Sequence, residues 1–76
     1  METRMLEVEV PPRPRREEFG AGAYAQQKYE LHTRRWRAEV NQRLSAEMPD
    51  GFGLYRWHID EREGRFVAVA EIVGGE

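Results

Sequence analysis

The sequence predicts an α+β fold of βαββ order, a three-stranded mixed sheet with one long helix packed on one face. Three stretches carry this prediction. They are an alternating apolar run at residues 5–10, a helical stretch ended by Pro49-Asp50-Gly51, and a hairpin pattern from Phe52 to Val73.

In the first stretch Leu6, Val8 and Val10 alternate with Glu7 and Glu9, the period of a strand with one buried face. Pro11, Pro12 and Pro14 then end it, because proline cannot donate to a ladder, and residues 11–19 read as a stiff connector. Gly20 and Gly22 weaken any helix running through them, so the helix is expected at about 22–48. Pro49 cannot continue it, and Asp50-Gly51 is turn chemistry. At 100° per residue, Ala25, Tyr29, Trp36, Val40 and Leu44 form one apolar stripe, with Met48 at its edge.

The last stretch reads as two strands joined near Glu61-Arg62-Glu63-Gly64, at 52–73 overall. A four-residue loop would pair Asp60 with Arg65 and place Tyr55, Trp57, Ile59, Phe66, Ala68, Ala70 and Ile72 on one face. A right-handed crossover makes the second strand parallel to the first. The third, the most apolar, then fits between them, antiparallel to both. A helix of about 26 residues is about 39 Å long and overhangs strands of about 27 Å. Phe19 and the connector, or a second chain, would cover the overhang.

The 76 residues predict one small domain, 1–76, of the size at which a core alone gives marginal stability. There is no cysteine, so disulfides and cysteine-based metal or redox motifs are excluded. Without an apolar block at the N-terminus or a run long enough to span a bilayer, the sequence reads as soluble and cytoplasmic, with no membrane partner. The net charge of −2 mixes both signs densely, and Lys28 is the sole lysine among 12 basic residues, the rest being arginine.

His32-Thr33-Arg34-Arg35-Trp36-Arg37 packs three arginines around a tryptophan and suggests a phosphate-binding surface. Two considerations weaken it. Trp36 falls on the core stripe, and Glu30 with Arg34, Arg35 with Glu39, and Glu39 with Arg43 have the spacing of helical ion pairs. Arg37 alone lacks such a partner. A nucleic-acid surface would need Arg13, Arg15, Arg16, Arg34 and Arg37 pooled by a connector folded beside the helix.

Tyr24, Leu31 and Ala38 recur at seven-residue spacing on the helix flank opposite the core stripe. With Arg34 they are the expected protein interface, for another protein or for a second copy in a homodimer. Arg56 and His58 are further surface candidates, on the outer side of the sheet. The two histidines have no metal-ligand spacing, so no metal or other cofactor is expected. Thr3, Thr33 and Ser45 lie in no nucleophile motif, which leaves catalytic residues unassigned. The expected activity is therefore binding, as an adaptor, subunit or small inhibitor. An enzyme would require an active site shared between subunits.

Overall fold

The computed structural model describes residues 1–75. The elements, in order, are strand β1 (Glu2–Val10), a short 3-10 turn (Arg16–Phe19), helix α1 (Ala23–Ala46), and strands β2 (Phe52–Arg62) and β3 (Arg65–Gly74). They build the α+β βαββ fold, one open sheet in the order β1-β3-β2 with a single long helix on one face. Both neighbouring pairs are antiparallel, and the two strands that run the same way, β1 and β2, never touch.

Alternation fixes which side chains meet the helix. Leu6, Val8 and Val10 of β1 stand opposite Ala70, Ala68 and Phe66, and Trp57 and Ile59 of β2 stand opposite Ala70 and Ala68 from the other side. Val40 and Leu44 are fully buried against this surface, together with Trp36, Val10, Ala68, Ala70 and Ile72. Helix residues before Trp36 contribute nothing to that core. Ala25 is buried outside it, where the 3-10 turn folds back on the helix and Phe19 packs its ring 5.9 Å from Tyr29 and 5.0 Å from His32. The connector thus covers the overhang, and the molecule measures 50 Å along its longest axis.

The hairpin is tighter than a four-residue loop. Arg62 pairs with Arg65, which leaves Glu63 and Gly64 as a two-residue loop at φ 51° and 79°. Positive φ at both positions is the type I′ turn, whose twist matches that of the flanking strands. The register moves by two residues, so the buried face keeps Trp57, Ile59, Phe66, Ala68, Ala70 and Ile72, but Trp57 faces Ala70 rather than Ala68. A bulge between Leu54 and Arg56 removes Tyr55 from that face. Leu54 takes the place opposite Ile72, and Tyr55 is 64% exposed. At the other end of the hairpin Gly74 is required sterically, since a Cβ there would fall 2.7 Å from the Phe52 ring.

The outer face of the sheet is a lattice of ion pairs laid over two valines. Arg62 reaches Glu7 at 2.8 Å and Asp60 at 3.2 Å, Arg56 reaches Glu71 at 2.7 Å, and His58 lies 3.4 Å from Asp60. Beneath these side chains Val69 is 6% exposed, although the helix is on the other side. Glu7 hydrogen-bonds Arg62 and is held below the usual carboxylate range, first by that bond and then by the guanidinium charge.

Candidate binding groove between the helix and the second strand

Small residues on β3 decide where the helix lies. Ala68 and Ala70 let Val40 and Leu44 approach the sheet closely, whereas β2 presents the bulk of Trp57. The Trp57 indole meets the edge of Trp36 with centroids 6.1 Å apart and planes at 65°. Accordingly α1 packs over β1 and β3, and its backbone stays more than 8 Å from β2. Trp57 and Ile59 are left half-buried.

The result is an open groove of about 490 Å³, lined by Arg13, Trp36, Arg37, Trp57, His58 and Ile59. Its aromatic floor is fixed by one hydrogen bond. The Trp36 indole N–H donates to the carbonyl of Pro11 at 2.9 Å, which satisfies a half-buried donor and anchors the connector against the helix. Arg13, two residues on, places its guanidinium 5.6 Å from the centre of the Trp36 ring. Arg37, the residue after Trp36 on the helix, also lines the groove.

Neither Arg13 nor Arg37 has a carboxylate within 4.0 Å among the described residues, and no acidic side chain lines the groove. By contrast, the arginines of the strands, Arg4, Arg56, Arg62 and Arg65, all have one. The helix departs from its spacing here. Glu39 pairs with Arg43 at 2.9 Å, but Glu30 accepts a hydrogen bond from Gln26 at 3.0 Å, and among the described residues Arg34 and Arg35 have no carboxylate within 4.0 Å. Exposed ion pairs of this kind stabilise by only a few tenths of a kcal/mol, so a neutral amide can compete for the same carboxylate.

The five arginines of a nucleic-acid surface are thus only partly pooled. Arg13 and Arg37 meet in the groove, and Arg34 and Arg37 share a shallow hollow with Tyr29 and Thr33 beside it. Arg15 lies with Arg13 in a further hollow that also holds Glu18 and Glu61. Arg16 turns away toward the start of the helix, where it donates to the carbonyl of Gly20 and to Gln26. Tyr24, Leu31 and Ala38 lie on the back of the helix, exposed, with Lys28 near the Tyr24 ring at 5.2 Å. Arg56 and His58 stand on the outer face of β2, and only His58 also reaches the groove's rim.

The pairing of Trp36 with Trp57 and the docking of Arg13 on Trp36 lie outside what periodicity reveals. They depend on where the helix sits across the sheet, and the one linear hint is the short step from Val10 to Arg13. Among the described residues no group of three or more His, Asp or Glu side chains could hold a metal ion, and no helix is long and apolar enough to cross a membrane. No protein-family model, curated protein or solved structure matches the chain.

Proposed function

We propose that the protein is a binding module that takes an acidic, partly apolar segment of a partner protein into the groove between α1 and β2. One observation carries this reading. Two guanidinium groups without carboxylate partners among the described residues, Arg13 and Arg37, line the groove together with Trp36, Trp57 and Ile59. Guanidinium forks donate two parallel hydrogen bonds to a carboxylate, and tryptophan and arginine are among the residues enriched at the energetic centre of protein contacts. The groove has the volume of a few side chains, which suits an extended segment better than a flat surface would.

Both tryptophans of the chain line the groove, so their fluorescence reports its occupancy directly. The test is a titration with a short peptide alternating glutamate and phenylalanine, against the same peptide with glutamine for glutamate. The acidic peptide is expected to shift the emission and saturate. Arg13→Gln and Arg37→Gln should each weaken it roughly tenfold, the scale of one lost charge-assisted hydrogen bond. Leu31→Glu, on the back of the helix, should leave it unchanged. Equal binding of the two peptides, or insensitivity to both arginine variants, rules the reading out.

A nucleic-acid reading draws on Arg34 and Arg35, whose guanidinium groups also lack carboxylates among the described residues. A single-stranded oligonucleotide that binds more tightly than the acidic peptide, with affinity falling steeply as salt rises, would favour it.

A further inference from the structure

The groove is bordered by β2, an edge strand, and the free edge of β2 has a pattern that complements itself. We infer that two copies of the chain join through β2, antiparallel, about a two-fold axis at His58, to form a continuous six-stranded sheet. The inference stands on the strand's register and side-chain order, and does not depend on what the groove binds.

Hydrogen-bond alternation limits the registers available. A two-residue loop closes on a hydrogen-bonded pair, here Arg62 and Arg65, so Asp60 and His58 direct their backbone groups toward β3. Trp57, Ile59 and Glu61 then direct theirs toward the open edge. An antiparallel partner must bring residues of this outward set opposite one another. This allows two-folds centred on a residue and forbids those centred between residues.

Side chains choose among the allowed centres. With the axis at His58, Trp57 stands opposite the partner's Ile59 on the helix side, and Arg56 stands opposite the partner's Asp60 on the outer side. The symmetry repeats both contacts. With the axis at Ile59, Ile59 meets its own copy and His58 meets the partner's Asp60, but Arg56 meets the partner's Arg62 and Trp57 meets the partner's Glu61. With it at Trp57, Ile59 meets the bulged Tyr55 of the partner subunit. Only the His58 register sets Trp57 against an apolar partner and Arg56 against a carboxylate at once, with His58 opposite its own copy on the axis.

The same register agrees with three features of the monomer. Trp57 and Ile59 are half-buried where α1 leaves β2 uncovered, and the partner supplies the missing neighbours. The pairable stretch ends at the Tyr55 bulge, which confines the contact to residues 56–60. This edge carries neither a proline nor a lysine to block pairing. The two grooves then face each other across the axis, so that Arg13 and Arg37 from both copies border one longer cleft.

The test is a charge exchange read by analytical ultracentrifugation over a dilution series. The wild type is expected to sediment as a dimer. Asp60→Arg and Arg56→Asp each place like charges opposite one another twice, and each should weaken association on the order of tenfold or more while keeping the wild-type circular dichroism. Mixed together, the two variants should form a one-to-one dimer, because both contacts between positions 56 and 60 are again between opposite charges. Amide exchange of the wild type provides a check without mutation. The Trp57 and Ile59 N–H groups, free to solvent in a monomer, should be protected and lose that protection on dilution. A monomeric wild type, variants that stay dimeric, a mixture that does not reassociate, or unprotected Trp57 and Ile59 amides would each overturn the inference. A chain that dimerises but ignores the acidic peptide would remove the groove reading alone.

Discussion

The indole N–H of Trp36 donates to the carbonyl of Pro11 at 2.9 Å, and this single bond joins the middle of the helix to the end of the first strand. Pro11 is the first residue after β1 and Trp36 the first helix residue to reach the sheet core. The bond therefore fixes both the direction in which the connector leaves the sheet and the height at which Arg13 enters the groove. Trp36→Phe keeps a ring in the core but leaves the carbonyl without its donor. The expected loss is about 1–2 kcal/mol in urea unfolding followed by circular dichroism. Because Arg13 rests on the indole, the same variant should weaken the acidic peptide. Unchanged stability would mean that the connector is held by other contacts.

The β2–β3 turn gives a prediction of opposite signs at adjacent positions. Glu63 adopts φ 51°, a left-handed conformation that costs a residue with a Cβ about 1–2 kcal/mol, whereas asparagine tolerates it. Glu63→Asn should raise the unfolding free energy by about 0.5–1 kcal/mol, and Gly64→Ala should lower it by about 1 kcal/mol. Thermal melts of the two variants check this. If both destabilise alike, the loop is not the two-residue turn.

The outer face predicts a pH dependence. Hydrogen bonds from Arg62, and then its charge, hold the Glu7 carboxyl below the usual carboxylate range, so its folded pKa is lower than its unfolded one. Such a pair contributes stability above the unfolded pKa, and that contribution is lost as pH falls through the folded value. Arg62 is shifted in the complementary direction, upward, by hydrogen bonds to Glu7 and Asp60, so it stays charged throughout. Carboxyl-detected NMR should show Glu7 titrating below the usual carboxylate range. Arg62→Gln should return it to the ordinary range and remove this part of the acid sensitivity. The shift should shrink with added salt, because both groups are exposed.

Much of this architecture is legible in the residues. Leu6, Val8 and Val10 alternate and do form β1, which continues back to Glu2 because Glu2, Thr3 and Arg4 still find partners on β3 even though they bury nothing. The stripe of Trp36, Val40 and Leu44 does face the sheet, and the helix stops at Ala46, just before Pro49. Placing the third strand between the other two follows from its composition, since a central strand has side chains of both neighbours flanking it on each face and so exposes the least of its own.

The sequence by itself determined the order of elements, the buried face of each and the end of the helix, because those follow from periodicity and from the backbone limits of proline and glycine. Tertiary structure alone decided where the groove lies and which side chains line it. Alanines on β3 and a tryptophan on β2 set the helix to one side, and that sideways displacement opens the groove. The spacing of Glu30 and Arg34 favours an ion pair, yet Gln26 takes the carboxylate. Arg13 and Arg37, far apart in sequence, meet because the Trp36 indole holds Pro11. Weak, solvent-exposed interactions are decided by which neighbour is within reach, and reach is a property of the folded chain.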